Sequence, residues 1–221
     1  MRVTAIVCDF DGTITNIDTS EFVLTNFAAG NWRIFDEKLD RMEITLEDCM
    51  NRQFGMVRGS KQAILDKVEK AGNIQFRRGF QSFVTYCQSQ NVKLIVASAG
   101  LDFCIQRLFR LNGLVDSSIP IHAPKAFCTE NNGITFTFPK LCRPKQSVNH
   151  KDDIVRSLQE SGKQVMYIGD APPDYPAAKV ADITLAISGS SLAKLCRHDG
   201  VSCLEIDDFE QAIKILETSR G

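Results

Sequence analysis

The run Val3-Thr4-Ala5-Ile6-Val7-Cys8 is apolar in the manner of a core strand, and it ends abruptly in Asp9-Phe10-Asp11-Gly12-Thr13. Asp and Glu are poor strand formers and are almost never buried unpaired. Two carboxylates at the exit of a core strand therefore need a compensating cation, or chemistry. An acidic turn closed by Gly12 would look the same over this segment, so on this segment alone both readings stand.

Further elements repeat the layout of a core strand followed by reactive residues. Val92-Lys93-Leu94-Ile95-Val96-Ala97 runs into Ser98-Ala99-Gly100, and Gln164-Val165-Met166-Tyr167-Ile168 runs into Gly169-Asp170, with Asp174 four residues on. Between them, Lys151 stands just before an amphipathic helix. Ligands of open α/β sheets bind outside the carboxyl ends of the strands, so these places are expected to converge on one crevice.

From Thr13 to about residue 76 the periodicity is helical. Asp18 or Thr19 can cap a helix carrying Phe22, Val23 and Phe27, while Trp32, Phe35 and Leu39 share a face of the next. Thr45 with Asp48 resembles a capping box ahead of Leu46, Met50 and Phe54, and Ser60 precedes Ile64, Leu65, Val68 and Ala71. Four short amphipathic helices in a row predict a small bundle inserted after the first strand. From Arg77 the chain alternates between helix and strand, with further strands at 183–187 and 202–206 and a last helix carrying Phe209, Ala212, Ile213 and Leu216. That alternation predicts an α/β fold, a Rossmann-like parallel sheet with helices on both faces. Residues 120–138, with Asn131-Asn132-Gly133 at their centre, read as a small β-hairpin projecting from the core. The expected domains are a core of residues 1–15 and 77–221 and a helical cap of residues 16–76.

Composition narrows the partners. Lys plus Arg number 26 against 27 for Asp plus Glu, so no long-range field recruits nucleic acid or a membrane surface. The first residues form neither a signal peptide nor a membrane span, which leads to an expectation of the cytoplasm. The 8 cysteines are scattered without a CxxC pair in a chain long enough to build its own core, so reduced thiols are expected, with Cys8, Cys87 and Cys104 on apolar faces. Zinc binding by Cys128, Cys142 and His122 is the alternative, at a spacing unlike the usual cages. His150 and His198 have no partner pattern.

In this order, the acidic pair, the Ser after a strand, the Lys and the Gly169-Asp170…Asp174 segment resemble the signature of the haloacid dehalogenase superfamily, from end to end of the chain. The resemblance implies a phosphatase in which Asp9 is the nucleophile and Asp11 is general acid and then general base. It also implies Mg2+ held by Asp9, Asp170 and the main-chain carbonyl of Asp11, with Thr13 orienting Asp11 and Asp174 supporting the site from behind. Ser98 and the amides of Ala99 and Gly100 would bind phosphate oxygens, and Lys151 would neutralise the nucleophile and the transferring group. Ser98 also reads as a plain helix cap. Lys145 is the rival of Lys151, which is favoured because a helix and then the strand to Asp170 follow it directly, as in the family.

A helical insert at this position is similar to the cap of the phosphoserine-phosphatase-like branch. The segments Asp18-Thr19-Ser20-Glu21-Phe22, Ile44-Thr45-Leu46-Glu47-Asp48, Phe54-Gly55-Met56-Val57 and Ala99-Gly100-Leu101-Asp102-Phe103 look most like the methionine-salvage enediol-phosphate phosphatases. Phosphoserine phosphatases usually have Ser where this chain has Gly12, and they use a cap-helix Arg, where ungapped matching places Gln53 with Arg52 beside it. Asp18 and Arg52 are thus expected to contact the non-phosphate end of a small phosphorylated metabolite. Phosphoserine, phosphocholine and phosphoethanolamine stand as alternative substrates, and a degenerate binding or regulatory protein as the non-enzyme alternative. A monomer or homodimer is expected.

Overall fold

The computed structural model describes residues 2–41, 43–114, 119–129 and 133–218. Strand β1 (Ala5–Cys8) leads into four helices, α1 (Thr19–Phe27), α2 (Ile34–Asp40), α3 (Leu46–Gly55) and α4 (Lys61–Lys70). The chain returns through α5 (Phe80–Ser89), β2 (Lys93–Ala97) and α6 (Asp102–Leu111), then a short strand β3 (Ile121–His122) and the antiparallel pair β4 (Lys125–Cys128) and β5 (Ile134–Thr137). The remainder alternates as α7 (His150–Glu160), β6 (Val165–Gly169), α8 (Tyr175–Val180), β7 (Ile183–Ile187), α9 (Ser191–Asp199), β8 (Leu204–Ile206) and α10 (Phe209–Thr218). No helix among the described residues is long and apolar enough to cross a membrane.

The main sheet has the order β3-β2-β1-β6-β7-β8, and its neighbours pair in parallel. Side chains alternate across a strand, so β1 serves two layers at once. Ile6 and Cys8 join an apolar cluster with Phe80 and Phe83 of α5, Phe109 of α6 and Phe209 of α10. Ala5 and Val7 face the opposite cluster, with Val155 of α7, Ala177 of α8 and Leu192 of α9. The expected α/β architecture is therefore present, with helices on both faces of a parallel sheet.

The caps expected from sequence hold three helix starts in place. Asp18 accepts from the Glu21 amide, Thr45 from the Asp48 amide and Ser60 from the Ala63 amide. Each such cap is worth about 1 kcal/mol. Two readings of the sequence need revision. Ile121–His122 does not belong to the hairpin; it pairs in parallel with Val96 and Ala97 as the edge of the main sheet, and two residues are too few for a visible alternation. Helices α8 and α9 left no clear signal, being short and built on small buried residues such as Ala177, Ala178 and Ala193. Asn131 and Asn132 of the expected hairpin turn lie outside the described residues.

Candidate active site

Register brings the reactive residues together. Cys8 at the end of β1 lies level with Val96 of β2 and Ile168 of β6, so Asp9, Ser98 and Asp170 leave three adjacent strands within a residue or two of the same height. With strands about 4.8 Å apart, their side chains meet in one crevice. The Asp9 amide continues the ladder by donating to the Ile168 carbonyl at 2.9 Å, and the Ser98 amide donates to His122 O at 3.0 Å.

Lys151 binds this crevice to α7. Its Nζ donates to Asp9 Oδ1 at 2.7 Å and to Asp174 Oδ1 at 2.5 Å, with all three side chains buried. It occupies the first turn of α7 instead of preceding it, because Asn149 caps that helix. The Asn149 side chain accepts from the Lys151 amide, and Asp152 accepts in return from the Asn149 amide. Burial alone would lower the Lys151 pKa, but Asp174 and Asp9 outweigh it and keep the ammonium charged. Lys145 is exposed in the preceding loop and does not enter the cluster.

A buried ion cluster is stable only if its remaining lone pairs are satisfied. Asp174 meets that condition. Its Oδ1 also accepts from the Tyr167 hydroxyl at 2.6 Å, and Oδ2 accepts from the Asp170 and Ala171 amides at 2.9 and 3.0 Å. Asp170 accepts from the Thr13 hydroxyl on Oδ1 at 2.7 Å. Among the described residues, no hydrogen bond engages the second oxygen of Asp9 or of Asp170. Oxygens of Asp9, Asp170 and Asp174 lie within 4.8 Å of one another, forming an acidic group able to hold a metal ion. Since Asp174 is saturated by four donors, Asp9 and Asp170 carry the free lone pairs. Burial and the Asp174 charge push Asp170 up to about 6, and the same two causes raise Asp9 against the pull of Lys151.

Asp11 has separate company. Its Oδ1 accepts from the Thr19 amide at 2.9 Å and from the Thr19 hydroxyl, whereas Oδ2 is shielded from solvent and without a partner. Burial, aided by the Asp18 charge, pushes Asp11 up to about 7. With two donors already facing Oδ1, a proton on this carboxyl resides on Oδ2. Thr13, expected to orient Asp11, instead orients Asp170; Thr19 takes the task on Asp11. In sequence Thr19 reads only as a helix cap, and nothing local distinguishes a capping hydroxyl from one that holds a distant carboxylate.

Ser98 is fully buried and its Oγ accepts from the Gly100 amide at 2.9 Å. His150 Nε2 lies 3.1 Å from the Ser98 carbonyl. A carbonyl can only accept, so this nitrogen carries the proton. Burial and the adjacent Lys151 charge push His150 down to about 4, leaving it neutral near pH 7. Ser98, Ala99 and Gly100 all line the cleft.

The cleft has a volume of about 330 Å³ and is lined by Asp9, Asp11 and Lys151 and, from the inserted segment after β1, by Leu24, Trp32, Leu39, Leu46, Met50 and Phe54. Gln53 is also inside, its amide donating to Asp36 Oδ1 at 2.7 Å. Arg33 pairs with Glu21 at 2.7 Å and stacks 4.2 Å over the Trp32 ring. Asp18 is exposed on the cleft wall. Arg52, expected beside the substrate, is outside, its guanidinium 6.0 Å from the Phe35 ring. The cleft-facing stripe of α3 runs through positions 46, 50, 53 and 54. At about 100° per residue, position 52 points about 160° away from position 50. Cys128, Cys142 and His122 form no metal-sized group among the described residues, and the eight cysteines are free thiols.

A family model for haloacid dehalogenase-like hydrolase matches residues 6–179. The 2-hydroxy-3-keto-5-methylthiopentenyl-1-phosphate phosphatase of Brevibacillus brevis is 30% identical over 218 residues, covering 96% of this chain and 94% of that protein. A bifunctional enzyme MtnB/MtnX of Bacillus licheniformis is 30% identical over 227 residues; the match covers 98% of this chain, which spans 50% of that longer protein. Among solved structures, a substrate-bound phosphoserine phosphatase aligns with a TM-score of 0.71 at 13% identity, covering 98% of this chain and 99% of the other. A phospho-aspartyl intermediate analogue of phosphoserine phosphatase aligns at 0.69 and 16% identity, covering 98% and 100%. At these identities the two structures speak for the fold alone.

Proposed function

Since this chain belongs to the haloacid dehalogenase-like hydrolases and is a phosphomonoester hydrolase, we propose that it cleaves a small phosphorylated metabolite by passing the phosphoryl group through Asp9. The observation that carries this reading is the buried contact between Lys151 and Asp9, with an acidic partner on each side. A carboxylate repels an incoming phosphate, and the ammonium at 2.7 Å offsets that repulsion where the nucleophile stands. Ser98 and the Ala99–Gly100 segment bind the phosphate oxygens. Asp11, protonated on Oδ2, gives that proton to the leaving oxygen and, once deprotonated, takes one from the water that hydrolyses the aspartyl phosphate.

The donor set also fits Mg2+, a hard cation that favours carboxylate and carbonyl oxygens. Asp9, Asp170 and the main-chain carbonyl of Asp11 would hold it, and when bound it would supply further charge neutralisation to the phosphate. Thr13 fixes the rotamer of Asp170, and Asp174 fixes Lys151.

Residues 16–76 serve as a cap that closes over this site, within a core of residues 1–15 and 77–221. The Thr15–Phe76 bridge and the reciprocal Asn16–Gln75 contacts support a neck at their base. The cap also favours one leaving group. Its apolar lining side chains, from Leu24 to Phe54, stand beside the acidic Asp18, Glu21 and Asp36, while Lys151 is committed to Asp9 and Asp174, Arg33 to Glu21, and Gln53 to Asp36. An amino-acid carboxylate would find no unpaired cation among the described lining residues, whereas an uncharged, apolar tail would find a complementary wall. This favours a leaving group of the kind in the relatives' name, a methylthio-bearing enediol, over phosphoserine.

Acid-quenched turnover tests the mechanism. The wild-type protein is expected to gain the mass of one phosphoryl group on the peptide containing Asp9, and Asp9→Asn to lose both that gain and turnover. Full activity in Asp9→Asn would overturn the covalent route. Chelation should abolish phosphate release, with recovery on adding Mg2+; indifference to chelator would remove the metal from this reading.

A further inference from the structure

Two side-chain oxygens in the cleft are shielded from solvent and have no partner: Asp11 Oδ2 and Ser20 Oγ. They border the same small space. A Cβ built on Gly100 would overlap Asp11 Oδ2 and would lie 3.2 Å from Ser20 Oγ. A shielded hydroxyl without a partner is unfavourable, so its persistence beside a ligand cleft points to a partner that arrives with the ligand. Asp11 Oδ2 is accounted for by the leaving oxygen. Ser20 is not.

Position along α1 indicates what Ser20 meets. The phosphate end of the cleft is set by Asp9, Ser98 and Lys151, and Ser20, in the first turn of α1 on the inserted segment, borders Asp11 and Gly100 at that end. One turn further along α1, Leu24 begins the apolar wall. A helical turn advances about 5.4 Å, the reach of a few covalent bonds. Ser20 thus stands between the bridging oxygen and the apolar tail.

We propose that Ser20 is a specificity-determining residue whose hydroxyl hydrogen-bonds an oxygen substituent on the carbon next to the esterified carbon of the substrate. The inference rests on the phosphatase reading above and adds to it a requirement on the leaving group: oxygen near the ester, apolar beyond. A site built to pair such an oxygen rejects the analogue that lacks it, because the hydroxyl is then left unpaired in a dry place.

The test compares kcat/KM for 2-hydroxyethyl phosphate and for ethyl phosphate, which differ by that one oxygen, in the wild-type protein and in Ser20→Ala. The wild-type protein is expected to favour the hydroxylated ester by about tenfold, the worth of one neutral hydrogen bond, and Ser20→Ala to bring the ratio close to one. A wild-type ratio near one, or a ratio unchanged in Ser20→Ala, overturns the role of Ser20 and leaves its hydroxyl to water. Failure of the wild-type protein to release phosphate from either ester overturns the phosphatase reading and this inference with it.

Discussion

Asp11 and Asp170 are each pressed against a glycine, and the two glycines are required for different reasons. Gly12 has φ +76°, a left-handed backbone that costs other residues about 1–2 kcal/mol, and a Cβ there would also overlap the Asp170 carboxylate. Gly100 has no such backbone, yet its Cβ would overlap Asp11 Oδ2. Gly12→Ala is therefore expected to lower both stability and turnover. Gly100→Ala should leave the denaturation midpoint close to that of the wild-type protein while turnover falls on the order of a hundredfold, the effect of moving a reacting group by about 1 Å. Chemical denaturation beside phosphate release separates the two, and a Gly100→Ala variant that turns over normally would show that Asp11 tolerates displacement. Asp9, Asp11 and Asp170 were conspicuous in sequence as carboxylates at the ends of apolar strands, whereas Lys151, in the first turn of α7, stood out only through the order in which a helix and the strand to Asp170 follow it. Thr19 and Ser20 did not stand out, since hydroxyls after Asp18 read equally well as the start of a helix, and only the fold shows that one reaches Asp11 and the other faces the cleft.

At the scale of elements, the loop before α7 is anchored by two carboxylates, Asp152 at its end and Asp153 along its middle. Asp153 accepts from the Cys142 and Arg143 amides and from the Ser147 hydroxyl, each at 2.9 Å. Burial would raise its pKa, but these donors and the Arg143 charge outweigh it and hold the carboxyl below its usual range. A group whose folded pKa is depressed contributes stability above its unfolded pKa, about 3.9 for Asp, and loses that contribution as pH falls through the folded value. Asp153→Asn is accordingly expected to cost about 1–3 kcal/mol at neutral pH, with the gap to the wild-type protein narrowing below about pH 4. Denaturant unfolding across that range checks it; a gap independent of pH would mean that shape, not charge, anchors the loop. Elements with side-chain caps or long apolar stripes, such as α1, α3, α4 and α7, could be read from sequence. The two-residue β3 and the alanine-rich α8 could not, because they owe their form to the sheet beside them.

Over the whole molecule, the β/α alternation foretold the parallel sheet. What the pattern could not supply was how the inserted helices face the crevice, as Arg52 and Gln53 illustrate: neighbours in sequence, one outside the cleft and one within it. That azimuth follows from contacts across the molecule, including the Phe54–Phe136 ring contact at 5.2 Å, the Arg107–Glu69 ion pair and Lys61 standing 5.0 Å over the Phe103 ring. If the inserted segment selects the leaving group and the core performs the chemistry, a polar residue on the cleft wall should discriminate between tails. Leu46 is partly exposed on that wall, so Leu46→Asn changes its polarity without emptying the core. The ratio of kcat/KM for hexyl phosphate over ethyl phosphate is expected to fall on the order of tenfold in Leu46→Asn, the worth of a few apolar contacts. In Arg52→Ala the same ratio should stay within about twofold, as for an exposed side chain outside the cleft. An equal fall for both esters in Leu46→Asn would mean that α3 supports folding or catalysis instead of selection, and a large shift in Arg52→Ala would mean that the cap closes on substrate with a different face of α3.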